Sequence, residues 1–322
     1  MYKKSSNRII YLDVARSIAV ILIALNHAVN RAYDNYHNQL LEFNTIPIVS
    51  TIFKAIMTVG SHLGVPLFLM ITGALIFRKR FDNENSVRRF YKHNWLRLLI
   101  TSEIWMFMMY WVQILGNYPH LLALEHIPTL ILNLIKTMLF IDPIVFDSLW
   151  YIPMILAVYL MLPILVNAVH QFSLRVLVIP TLIVIVSGML VPFVNDIFYL
   201  FGSDYQILFS IAYDDIFSVY LPYVIAGYWI SMGGLKKISN LTLRVSAALL
   251  FAAIAGFQLF AYSTNINYIL DYDFIGFLVV GSLLFEIISR EASHVKSFSA
   301  IFEYISLRAF AIYTIQKTKT NL

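Results

Sequence analysis

Long apolar stretches separated by short polar breaks dominate this chain. They predict membrane-crossing helices near residues 9–30, 51–77, 95–115, 149–167, 175–194, 214–233, 242–263, 273–289 and 299–316. Each is close to the roughly 20 apolar residues that a helix needs to cross a bilayer. No internal repeat or low-complexity segment breaks the series. The expected fold class is all-α: a polytopic integral membrane helical bundle of about nine spans, with residues 1–322 as a single membrane domain. Residues 126–141 depart from the pattern, being too short and too polar to cross. They predict an amphipathic helix lying at the interface. Pro153 and Pro163 frame the fourth span, where Pro163 is expected to kink the helix or loosen its lower end.

Composition agrees. Of 322 residues, 60% are hydrophobic and 13% charged, where a soluble domain carries about 25% charged residues. Mean hydropathy is +0.75, and no polar segment is long enough to form a soluble domain. Cysteine is absent, which excludes disulfides, thiol nucleophiles and thiolate metal sites. A net charge of +5 would suit nucleic acid only if the basic residues formed one patch, and they follow loop order instead. With the N-terminus inside, sixteen of the 23 Lys and Arg fall in inner segments, seven of them within 78–97. The outer segments hold Arg31, Lys136, Lys317 and Lys319. That asymmetry places the N-terminus in the cytoplasm. Residues 1–8 lead straight into the first span with no small-residue cleavage site, so no removed signal is expected.

The first span carries the most unusual chemistry. Asp13, Arg16 and His27 interrupt an otherwise apolar run. At 100° per residue, the eleven steps from Arg16 to His27 come to about 20° beyond three full turns, and Asp13 falls about 40° from His27. All three therefore share one helix face, with roughly 16 Å of axial rise between Arg16 and His27. Ionisable groups are costly in hydrocarbon, and an aligned set marks a functional site by default. The competing reading is structural: a pair near the headgroups and an interfacial histidine. Of the eight histidines, His27 alone lies clearly within a predicted span, and its proton affinity suits a general base at neutral pH. No metal-ligand spacing, nucleophile elbow or phosphate-binding glycine loop is present.

The inner loop 78–97 offers Arg78, Arg80, Arg88, Arg89 and Arg97. It reads either as a topology anchor touching anionic lipid or as a landing site for a polyphosphorylated cytosolic molecule, since guanidinium forks match phosphate. Glu103 stands six residues beyond Arg97, on the opposite face of the third span. It is a lone membrane acid in need of a partner.

Taken in order, several stretches resemble a known family. They are Tyr11-Leu-Asp-Val-Ala-Arg16 with Asn26-His27, residues 65–76 with Thr72 where the family usually has Ser, and the basic run ending Trp95-Leu-Arg97. Leu149-Trp150-Tyr151 with Tyr159 and Pro163 also fits, as do residues 309–315. The chain resembles the membrane acyltransferase-3 family of bacterial acyl-CoA-dependent O-acyltransferases, which modify surface glycans. The resemblance implies a cytosolic acyl-CoA donor, commonly acetyl-CoA, and an acceptor hydroxyl on an extracytoplasmic glycan. It implies no permanently bound cofactor, and leaves the oligomeric state open. His27 matches the catalytic histidine and Arg16 its companion, with Asp13 beside it. Arg16, Arg78, Arg80, Arg88, Arg89 and Arg97 are the donor-binding candidates. Whether His27 acts as base or carries the acyl group stays open, as does the role of Arg16 among phosphate binding, oxyanion stabilisation and orientation through Asp13. Two departures stand out. Gln316 replaces a histidine of the family pattern, and a usual tenth span is missing after it. A lipid-linked-sugar transporter or an inactive shortened relative are the alternatives.

Overall fold

A computed structural model describes residues 9–34, 47–117, 119–141, 150–172, 174–203, 205–207, 219–263 and 269–315, and among them every regular element is helical. Gln316, Lys317 and Lys319 lie outside the described residues. The helices are α1 (Ile10–Asp34), α2 (Ile48–His62), α3 (Gly64–Ile76), α4 (Glu84–Phe90), α5 (Leu96–Asn117), α6 (Ile127–Met138) and α7 (Tyr151–Gln171). They continue with α8 (Leu174–Ile185), α9 (Val191–Leu200), α10 (Leu221–Ser231), α11 (Asn240–Ser263), α12 (Ile275–Glu291) and α13 (Ser299–Ile315). Joined end to end, α2 with α3 and α8 with α9 make single passes. Among the described residues six passes, those expected near 9–30, 51–77, 95–115, 149–167, 175–194 and 242–263, are long and apolar enough to cross a membrane by length and composition, while α10, α12 and α13 are shorter. The protein is an all-α, multi-pass helical bundle.

The chain folds into two compact units, Met1–Arg78 with Phe172–Tyr313 and Lys79–Gln171 with Thr314–Leu322. In the first, α3 and α10 cross at two glycines. A Cβ on Gly73 would lie 1.8 Å from the Val224 carbonyl oxygen, and one on Gly227 would lie 2.1 Å from that of Met70. Small residues let membrane helices approach this closely, and dispersion between the backbones then replaces the hydrophobic drive that lipid cannot provide. The α2–α3 junction at Leu63 is pressed on α1 in the same way, because a Cβ on Gly64 would meet the Ala19 carbonyl oxygen at 2.8 Å. Loop ends that the charge pattern assigns to one side meet at one end of this unit. Arg78 donates to the Ser231 carbonyl at 3.2 Å. Arg290 pairs with the buried Glu286 at 2.6 Å and donates to the carbonyls of Leu235 and Ile238 and to Asn240 Oδ1. One guanidinium thus closes the α10–α11 turn.

In the second unit α5 and α7 run antiparallel. Tyr91 donates to the Leu160 carbonyl at 2.8 Å, and one turn further Trp95 Nε1 donates to that of Leu156 at 3.0 Å. The helical stretch α7 runs through Pro163, where a kink or a loosened lower end was expected. Proline leaves the carbonyl four residues before it, that of Tyr159, without its helical donor, and the Tyr91 hydroxyl binds the next carbonyl along, that of Leu160. Helix α6 also differs from expectation. The Tyr110 hydroxyl donates to the Leu130 carbonyl at 2.7 Å, while Met138, Leu139 and Phe140 share a cavity with Leu99 and Glu103. It therefore runs back antiparallel along α5 instead of lying flat across helix ends. Its C-terminus makes the paired 6→1 and 5→2 bonds of a left-handed cap, Ile141 N–H to Lys136 O and Phe140 N–H to Thr137 O. The cap residue is Phe140 at φ 55°, where α9 and α10 use Gly202 and Gly233. A bulky side chain is a genuine outlier at that angle.

Candidate active site

Helix α1 is continuous from Ile10 to Asp34, so the angular alignment of Asp13, Arg16 and His27 holds. Asp13 is 8% exposed and meets Ser306 of α13, itself 4% exposed. The Ser306 hydroxyl donates to Asp13 Oδ1 at 2.8 Å and accepts from Arg16 Nη1 at 3.0 Å. The proton order is fixed by chemistry. A guanidinium only donates, so the hydroxyl must spend its own proton on the carboxylate. One turn away Ser17 donates to the Phe302 carbonyl at 2.9 Å, a second tie to α13.

His27 is not part of this assembly. It is half-buried with its Nε2 atom shielded from solvent, and stands roughly 16 Å up the helix from Arg16. The neighbouring Asn26 accepts from Ser61 at 3.0 Å. Next to Ser61, the buried His62 bonds the Thr58 carbonyl through Nδ1 at 2.7 Å, stacks on Phe277 and lies tilted against Tyr272. Tyr223 donates to the Tyr272 carbonyl at 2.7 Å, pinning that loop against α10. Burial, reinforced by Asp271, pushes the Tyr272 hydroxyl well above the usual tyrosine range. Sequence reasoning gave no role to His62, Ser306, Ser61 or Tyr272. Single serines and tyrosines in apolar helices carry no signal until a partner helix arrives.

The donor-binding candidates separate. Arg78 is committed to the Ser231 carbonyl in the first unit. Arg16, held on Ser306, lies in the first unit too; Arg80, Arg88, Arg89 and Arg97 belong to the second, where their side chains are exposed on an ordered loop. Asn83 and Ser86 form a reciprocal cap on α4. Phe81 packs edge-on against Phe90, which stacks on Tyr159. The Lys79 ammonium sits 5.4 Å from the Phe90 ring centre, and burial lowers its pKa. Arg88 pairs with Glu84 at 3.1 Å, while Arg89 and Arg97 are exposed. Arg80 lines a cavity with Asn167, His170 and Gln171. Glu103 faces a separate apolar cavity of about 390 Å³ walled by Trp95, Leu99, Leu156 and Phe140. Its Oε2 atom is buried without a hydrogen-bond partner among the described residues.

These features define a class: a multi-pass helical membrane protein with an ionic assembly buried at one end of its first helix and a histidine further along it. Residues 9–320 match the acyltransferase-3 family, described as an acyltransferase domain, and the chain belongs to that family. No curated protein and no solved structure matches it. Its general activity is acyl transfer.

Proposed function

We propose that the protein transfers an acyl group, acetyl in the simplest case, from cytosolic acyl-CoA to a hydroxyl of an extracytoplasmic glycan. It acts in a bacterial cell membrane with its N-terminus in the cytoplasm. The observation that carries this reading is the family match over residues 9–320, within which α1 holds Asp13 and Arg16 on Ser306 and presents His27 on the same face. The basic loop supports a phosphate-bearing donor, since Arg80, Arg88, Arg89 and Arg97 are exposed along it beside a capped helix and an aromatic floor.

In the reaction, His27 takes the proton of the acceptor hydroxyl as its oxygen attacks the thioester carbonyl. A carbon–oxygen bond forms, the carbon–sulfur bond breaks, and the proton passes from the imidazolium to the departing thiolate. The products are the ester and free CoA. Ser306 holds Arg16 against Asp13, so Arg16 serves the donor from a fixed position.

General-base help is typically worth about 10²–10⁴-fold. His27→Gln keeps hydrogen bonding and loses proton transfer, so it should reduce surface-glycan acylation in cells by that order at unchanged membrane abundance. Near-normal acylation by this variant would remove His27 from the chemistry.

A further inference from the structure

As an acceptor oxygen adds to an acyl carbonyl carbon, negative charge builds on the carbonyl oxygen, and a fixed hydrogen-bond donor aimed there is typically worth about 10²–10³-fold in kcat. Arg16 is not placed to supply that donor at His27. Ser306 holds it at 3.0 Å, and the imidazole stands roughly 16 Å further along α1. Arg31 lies one turn beyond His27 but is exposed. A guanidinium in water lacks the dry surroundings that make such a donor effective.

The carboxamide of Asn26 meets the need. Its Oδ1 accepts from the Ser61 hydroxyl of α2 at 3.0 Å. Ser61 also lies 3.0 Å from the Thr58 carbonyl, and a hydroxyl has one proton to give. That carbonyl already takes the Nδ1–H of His62 at 2.7 Å, which leaves the Ser61 proton for Asn26. The amide orientation follows. With Oδ1 turned to α2, the two N–H bonds of Nδ2 point away from it, and no group among the described residues takes them. The support is dry and held from behind: Ser61, Thr58 and His62 are 1%, 2% and 7% exposed. The Thr58 hydroxyl is bonded to that of Tyr262 at 3.1 Å, and the His62 ring lies parallel to Phe277. Asn26 itself is half-buried, so a substrate can reach its donors. Consecutive positions diverge by 100° around a helix. Asn26 and His27 therefore flank a molecule lying against α1, one on the attacking oxygen and the other on the attacked carbonyl.

We propose that Asn26 is a further catalytic residue, donating from Nδ2 to the carbonyl oxygen of the acyl group as charge develops on it, with Ser61 as its positioning residue. The acceptor oxygen bonds to the carbonyl carbon, and the carbon–oxygen π pair moves onto the oxygen that Asn26 holds. Its return breaks the carbon–sulfur bond, while His27 carries the proton from the hydroxyl to the departing thiolate. The inference rests on the acyl-CoA reading above and adds the charge-stabilising partner that His27 lacks.

The test follows release of the CoA thiol from acetyl-CoA by the full chain in nanodiscs, with a glycan-bearing membrane extract as acceptor. A chain without cysteine adds no thiol background. Asn26→Ala, and Asn26→Asp, which keeps the shape and loses the donor, should each lower kcat by about 10²–10³-fold. The KM for acetyl-CoA should stay within about twofold, at unchanged melting temperature. Ser61→Ala should lower kcat by about tenfold, the worth of one hydrogen bond, and Ser61→Thr, which keeps the hydroxyl, should restore it. Wild-type kcat in Asn26→Ala overturns the proposal and leaves the donor reading intact, as does a raised KM with kcat unchanged. A kcat loss in Arg31→Gln with none in Asn26→Ala overturns it in favour of the exposed guanidinium. A wild-type chain that releases no CoA removes both the donor reading and the proposal built on it.

Discussion

Ser306 shows how much one small side chain decides at the scale of residues. Its hydroxyl is the bridge between a buried carboxylate and a guanidinium that share α1. Deleting one partner of a buried hydrogen bond typically costs about 1–3 kcal/mol. Ser306→Ala should therefore lower the melting temperature of the purified protein by a corresponding amount and reduce acyl transfer through Arg16. Melting and activity both at wild-type values would show that the bridge holds nothing in place. Asp13, Arg16 and His27 were legible in the sequence because ionisable groups in an apolar run are rare and costly. Ser306 was not, because serine in a membrane helix is ordinary, and 290 residues separate it from Arg16.

At the scale of elements, helix crossings depend on the absence of side chains as much as on their presence. Gly73 and Gly227 sit where α3 and α10 touch backbone to backbone. Gly73→Val should push the helices apart and sharply lower the yield of folded protein, measured by size-exclusion profile and thermal unfolding. Gly256 on α11 is the control, since a Cβ there meets nothing within 4 Å. Gly256→Ala should be neutral or stabilising by about 0.5–1 kcal/mol, the backbone entropy that glycine costs inside a helix. Equal effects at both positions would mean that the crossing is not set by close approach. The sequence predicted the pass containing Gly73 from its apolar run alone. It gave no hint that α10 was the partner.

For the whole molecule, the distribution of Lys and Arg makes the firmest forecast. A cysteine introduced at Asn85 in α4, on a chain without native cysteine, should resist an impermeant reagent in intact cells and react after permeabilisation. Labelling from outside would reverse the orientation. The first unit already agrees internally, because Arg78 and Arg290 gather turns that the charge pattern assigns to one side.

What the sequence by itself determined was the helical class, the order of the passes and the shared face of Asp13, Arg16 and His27. Each is a property of a single helix, set by hydrophobic length and a fixed turn of 100° per residue. The course of α6 was beyond that reach. Twelve residues of mixed polarity fit an interface as well as a groove, and only Tyr110 and the cavity beside Glu103 decide between them. The same holds for Pro163, whose effect depends on what surrounds the carbonyls it frees. It holds for the loop 78–97 too, where the count of basic residues suggested phosphate but could not say which guanidinium was engaged. Tertiary contacts commit Arg78 to a helix end and leave Arg80 facing α7. Those assignments are between residues far apart in the chain, and packing alone makes them.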